Sequence, residues 1–292
     1  MTDAASGRCL VIGSGGVTGI AWAVGVVAAL ADAAVELREA DVFVGTSAGA
    51  VVAIELAGDV PTSDLLRRQR AEADHEVARP YSQQAADEKG RNLLERADGD
   101  ATAARRRVGA AALRASTPGL EERRAIVASR LSTPRWPARP VRVVAVDAAS
   151  GERRVFDASS GVDLADAVMA SCAVPAVWPA VPIGGRHYID GGVWSTTNAD
   201  VAGELVGCRS IVVVAPLGYG DANPLSGRLR VELAELSARG RRTCVIVPDA
   251  ASVRAMGENV LDPAARGPAA DAGYAQGTAD ADRIRAHWSA SS

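Results

Sequence analysis

Val42-Phe43-Val44-Gly45-Thr46-Ser47-Ala48-Gly49-Ala50-Val51-Val52-Ala53-Ile54-Glu55-Leu56-Ala57 is the stretch on which the reading of this chain turns. Val42-Phe43-Val44 is the end of a buried strand, and Ala50 to Ala57 has the composition of a helix. Between them stands Gly45-Thr46-Ser47-Ala48-Gly49, a Gly-x-Ser-x-Gly turn. A strand that becomes a helix this abruptly forces its central residue into a strained conformation, and the flanking glycines supply the room. Ser47 then stands at a helix N-terminus, where free N–H groups and the dipole favour developing negative charge. The bland alternative is a serine N-cap followed by a small-residue packing contact. The strand before and the helix after make a nucleophile as good a reading as that cap, and more is needed to decide.

The same grammar occurs upstream. Cys9-Leu10-Val11-Ile12 reads as a first core strand that runs into Gly13-Ser14-Gly15-Gly16-Val17-Thr18-Gly19 and then a buried helix over Ile20 to Ala34. Strand, glycine loop, helix, strand, turn, helix predicts an α/β protein with a parallel sheet covered by helices on both faces. The loop has free N–H groups that converge on one anionic point. It fits a dinucleotide fingerprint poorly, since Thr18 stands where the third glycine belongs, and it lacks the Gly-Lys-Ser/Thr of a Walker A loop. A single oxyanion suits it better, with nucleotide binding as the reading from a different functional class.

Downstream, Val141 to Asp147 is a strong strand that forms a hairpin with Arg153 to Asp157, and Asp163 to Ala170 is a helix. His187 to Asp190 is a short strand ending in Asp190-Gly191-Gly192. Ser210 to Ala215 and Thr243 to Val247 are further buried strands around a helix from Leu229 to Ala238, and Pro268 to Trp288 is an alanine-rich helix. The region from about Pro61 to Pro134 differs: charged, helical in composition, with narrow apolar stripes at Leu93, Leu94, Val108, Leu113 and Leu120. It reads as amphipathic helices outside the sheet, a solvated insertion in preference to a mobile lid. Arg105-Arg106-Arg107 has the charge to meet anionic head groups, although such clusters are more often a solvated face. With no repeat and no clean linker, residues 1–292 are expected to be a single domain.

Composition narrows the function. The chain of 292 residues is 48% hydrophobic, enough for a substantial core, and its net charge of −3 argues against nucleic-acid binding. Lys89 is the only lysine. Cys9, Cys172, Cys208 and Cys244 are scattered without paired spacing, so free buried thiols in a reducing compartment are expected. The first residues lack a signal-peptide pattern and the longest apolar run stops at Asp32, too short to span a bilayer. The expectation is a cytoplasmic protein, with room for peripheral membrane contact.

A serine nucleophile needs a base. The chain has three histidines, His75, His187 and His287, in poor contexts: a charged insertion, a strand interior and an alanine-rich helix. Asp190 is the better candidate, because Gly191-Gly192 lets the backbone turn and frees the carboxylate toward a cleft. Its ordinary reading is a turn carboxylate.

Together, the glycine loop, Gly45-Thr46-Ser47-Ala48-Gly49 and Asp190-Gly191-Gly192 resemble the three signature blocks of the patatin-like phospholipases. Ala170-Ser171-Cys172-Ala173-Val174-Pro175 is similar to the family's stretch before the aspartate. The resemblance implies a three-layer α/β/α sandwich and a Ser47–Asp190 dyad, with an oxyanion hole from the amides of Gly15, Gly16 and Val17. It also implies hydrolysis of a lipid acyl ester through an acyl-enzyme, without metal or organic cofactor. An acyltransferase or thioesterase would use the same residues. Two departures stand out: Ser14 replaces a loop glycine, and Thr18 replaces the family's Arg/Lys, which puts in doubt the steering of an anionic substrate. Trp178, Trp194, Val174 and Val177 are candidates to wall an acyl pocket or equally to fill the core. Ser171 and Cys172 read as a buried helix end, and Asn198 as a support for the Asp190 loop or a helix cap. Acyl-chain preference, head group and oligomeric state leave no signal in the sequence.

Overall fold

A computed structural model of the chain describes residues 7–72, 76–205 and 207–289. The first half runs β1 (Arg8–Ile12), α1 (Gly16–Asp32), β2 (Val42–Thr46) and α2 (Ala48–Ala57). Four helices of the insertion follow: α3 (Thr62–Arg70), α4 (Gln83–Glu95), α5 (Ala101–Arg114) and α6 (Leu120–Ser129). Then come β3 (Val141–Asp147), β4 (Arg153–Phe156), α7 (Leu164–Ser171), β5 (Val181–Ile183), β6 (Arg186–Asp190) and α8 (Asp200–Gly203). The chain closes with β7 (Ser210–Val214), α9 (Leu229–Ala238), β8 (Arg242–Ile246), α10 (Ala250–Met256) and α11 (Arg266–Ser289).

The strands form one sheet in the order β5-β6-β3-β2-β1-β7-β8, with β4 also paired to β3. From β3 to β8 the neighbours are parallel, while β4, β6 and β5 add antiparallel pairings at one side. Strand side chains alternate between faces. Leu10 and Ile12 join Phe43, Val143 and the apolar sides of α1, α2, α7 and α11, whereas Cys9 and Val11 join Val44, Val144 and residues of α8 and α9. Helices thus cover both faces, the three-layer α/β/α sandwich with a mainly parallel sheet that the sequence predicted. α1 is apolar around its whole circumference and buried from Val17 to Leu30, as a helix sandwiched between sheet and α11 must be.

One register positions the site. β2 pairs with β3 as far as Thr46 opposite Val144, and β6 pairs with β3 from Asp190 opposite Ala145. Since β4 holds the other edge of β3 over Val143 to Val146, β2 and β6 share one edge and meet end to end. The residues that leave these two strand ends are therefore neighbours, although 143 positions separate them in sequence.

Two expectations need correction. Cys9 and Cys208 are joined by a disulfide that ties β1 to the segment entering β7, and only Cys172 and Cys244 are free thiols. Distance in sequence hid the pairing, and the case for a reducing compartment from four free thiols lapses. The insertion is also not a solvated appendage: Ala97, Ala104, Val108 and Ala112 pack with Val146, Ala148 and Ile189 over the β3/β6 end of the sheet. No helix among the described residues is long and apolar enough to cross a membrane.

Candidate active site

Ser47 sits between β2 and α2 at φ 54° and ψ −119°, a left-handed conformation that costs about 1–3 kcal/mol unless the surroundings enforce it. They do. A Cβ on Gly49 would come within 1.9 Å of the Ile12 carbonyl oxygen, so only glycine lets α2 start this close to β1. The Ser47 N–H donates to Ser171 Oγ at 2.9 Å, and Ser171 Oγ donates in turn to the Val144 carbonyl at 2.6 Å. Ser171, from the end of α7, thereby locks the turn to β3.

The Ser47 hydroxyl donates to Asp190 Oδ2 at 2.7 Å, and Asp190 Oδ1 accepts from the Gly192 N–H at 2.7 Å. Burial disfavours the charged carboxylate and lifts its pKa from 3.8 to about 6, with Ser47, Gly192 and the positive charge of Arg123 pulling back. The carboxylate is thus ionised near neutral pH yet far more basic than a solvated one, as a general base requires. Behind it, Asn198 Nδ2 donates to Thr46 Oγ1, Gly191 O and Ser195 O, so Asn198 supports the loop and does not cap α8. Buried Glu232 fixes the same loop by accepting from Thr197 Oγ1 and the Ala199 N–H.

The glycine loop faces this pair. The Gly13 and Ser14 amides are bonded to Val214 and Thr196 carbonyls, which anchors the loop between β7 and the segment after β6. Gly16 has φ +61°, and a Cβ there would lie 2.3 Å from the Val260 oxygen. Thr18 donates to that oxygen, whereas the amides of Gly15, Gly16 and Val17 have no acceptor among the described residues. These three residues border the same cavity as Ser47 and Asp190, so the loop and the serine face one space.

That cavity, about 190 Å³, is walled by the sheet ends below and by the insertion above, through Leu93 of α4, Val108 of α5 and Arg123 of α6. Trp178 and Val174 line it, whereas Trp194 turns away and stacks under Arg105, whose guanidinium is 3.9 Å from the ring. Arg105 is consequently buried, and Arg106 and Arg107 donate to the Ser150 and Arg96 carbonyls. Cys172 borders the cavity, but burial pushes its thiol up to about 11 and keeps it protonated. His187 is exposed on β6 and His287 bonds Ser210, so neither stands by Ser47; His75 lies outside the described residues. The structure brings Ser47, Asp190 and the loop, all singled out in the sequence, to one cavity; sequence reasoning did not anticipate the locking contact of Ser171 or the position of Arg123. The similarity of residues 170–175 to a family block was the available signal for the first.

A family model described as patatin-like phospholipase matches residues 10–202. No curated protein matches the chain. Among solved structures, VipD from Legionella pneumophila has a similar fold, with TM-score 0.50, 13% identity, and coverage of 96% of this chain and 67% of that one. The type III effector protein ExoU overlaps with TM-score 0.45 at 16% identity, over 96% of this chain and 53% of its own.

Proposed function

From the premise that this chain belongs to the patatin-like phospholipases, a family of lipid hydrolases, we propose that it cleaves a carboxylic ester of an acyl lipid through an acyl-enzyme on Ser47. The observation that carries this reading is the 2.7 Å hydrogen bond from Ser47 Oγ to a buried carboxylate of raised pKa. Asp190 takes the serine proton as Oγ attacks the ester carbonyl. The oxygen of the tetrahedral intermediate accepts from the free amides of Gly15, Gly16 and Val17, aided by the first turns of α1 and α2. Collapse breaks the ester bond, and the departing alkoxide recovers the proton from Asp190. Water then enters, gives its proton to the same carboxylate and attacks the acyl-serine. Release of the fatty acid returns the proton to Ser47. Every step uses side chains and backbone amides of this chain, read as one hydrolase domain of 292 residues with the insertion as its roof.

The test is labelling by a fluorophosphonate, with wild type set against Ser47→Ala and the modified peptide found by mass spectrometry. The proposal expects one adduct, on Ser47, absent from the variant. A folded wild-type protein that stays unlabelled both alone and with lipid micelles would refute it.

A further inference from the structure

Arg123 is the one cation of the cavity wall that is buried without a carboxylate partner among the described residues. Its residue is 2% exposed, its Nη2 donates to the Cys172 carbonyl at 3.3 Å, and its Nε and Nη1 have no acceptor. The guanidinium carbon lies over the Trp178 ring, 3.9 Å from its centre. Its neighbour Arg130 is different: Nε and Nη2 form a bidentate pair with Glu76 at 2.8 and 2.6 Å. Lys89, the other cation on the wall, is exposed.

Burying a charged group without a counter-charge is expensive, and stacking on an indole offsets only part of that cost. The expense is visible, because burial draws the Arg123 pKa down to about 9, still protonated at neutral pH. An aligned, desolvated guanidinium with two idle donors is a receptor for an oxyanion, since arginine's rigid fork matches phosphate geometry. Placement adds to the case. Arg123 bonds the carbonyl of Cys172, the residue directly after Ser171, whose hydroxyl locks Ser47. The glycine loop itself carries no cation: Thr18 is fully buried and does not border the cavity.

We propose that Arg123, supplied by the helical insertion, binds the phosphate of the substrate's head group and makes this site select anionic acyl esters over neutral ones. The proposal rests on the hydrolase reading for its substrate, but its first readout needs no turnover. Dodecyl phosphate has the apolar tail and the anion without a carboxylic ester to cleave. Its binding to wild type, Arg123→Met and Arg123→Lys is measured by calorimetry below micelle-forming concentrations, beside dodecyl maltoside as the neutral probe and inorganic phosphate alone.

Wild type is expected to bind dodecyl phosphate about 10- to 100-fold more tightly than the maltoside, the worth of charge-assisted hydrogen bonds in a desolvated site. Arg123→Met should lose that preference while Arg123→Lys keeps a large part of it. Equal wild-type affinity for the two amphiphiles overturns the proposal, and that comparison stands even if Arg123→Met fails to fold. Parallel loss of both ligands in a folded Arg123→Met overturns it too, showing a purely structural arginine. Inorganic phosphate competing as strongly as dodecyl phosphate assigns the site to the free ion and overturns its role in substrate choice. Anion-selective binding by a protein that resists fluorophosphonate labelling would leave the Arg123 site standing while removing the hydrolase.

Discussion

Replacing Asp190 by Asn should make the protein inactive and more stable at once. The substitution keeps the shape and the contacts: Oδ1 still accepts from Gly192, and an amide Nδ2 in place of Oδ2 donates to Ser47 Oγ. What disappears is the charge. Asp190 has a folded pKa of about 6 against 3.8 in the unfolded chain. A raised folded pKa means that its stability contribution is complete below the unfolded value and is lost as pH rises through the folded one. At pH 8 wild type therefore lacks about 3 kcal/mol that the neutral amide retains, and at pH 5 the deficit is about half that. In a chain of this size the pH 8 difference raises the melting temperature by roughly 5 °C or more. Over the same range kcat should fall by about 10²- to 10⁴-fold, the usual worth of a general base. Wild-type kcat/KM should rise with pH to a plateau, with its midpoint near 6. Calorimetric melting at pH 5 and 8, with ester hydrolysis at each pH, checks all of this. A variant no more stable than wild type at pH 8, or one hydrolysing within tenfold of wild type, refutes the reasoning.

Three further outcomes follow from the geometry. Ser171→Ala removes the acceptor of the buried Ser47 N–H, and should cost about 1–3 kcal/mol in urea unfolding. It should also lower kcat roughly ten- to hundredfold at nearly constant KM, because the nucleophile is less firmly held. Gly49→Ala drives a methyl group into the Ile12 carbonyl and should cost about 3 kcal/mol or more, read as loss of soluble protein or a large drop in melting temperature. Glu76→Ala strands Arg130 as a buried, unpaired cation and should cost about 3–5 kcal/mol at pH 7. Burial, the largest single effect, raises the Glu76 pKa, but the charge and hydrogen bond of Arg130 together with the charges of Arg266 and Arg123 outweigh it, so wild type should lose this contribution only as pH falls below about 4.5.

The hydrogen-bonded pair of Ser47 and Asp190 was readable because its demands fall on local sequence. Gly49 has to be glycine, Ser47 has to follow a strand, and Asp190 has to precede residues that turn, so each constraint leaves a short-range mark. The parts that stayed hidden depend on contacts between distant segments. Ser171 reads as a helix end until α7 is seen lying 124 positions from the amide that it holds. Arg105 and Arg123 sit in charged runs whose period shows a helix face but not what covers it, and each proves buried against a tryptophan. Trp178 and Trp194 look alike as candidates for a pocket wall, and only the path of the chain after α7 sends one into the cavity and the other under Arg105.

The shared edge of β3 has a consequence for how such a protein can diversify. Thr46, the residue before the serine, and Asp190 are held by main-chain pairing to consecutive residues of β3, Val144 and Ala145, so the separation of serine and aspartate is set by the repeat of a strand and not by any side chain of the roof. The insertion leaves after α2 and returns before β3 without taking part in that pairing. On the proposed function, chemistry and selectivity would reside in separable parts of the chain: the roof could be lengthened, recharged or exchanged while Ser47 and Asp190 keep their distance.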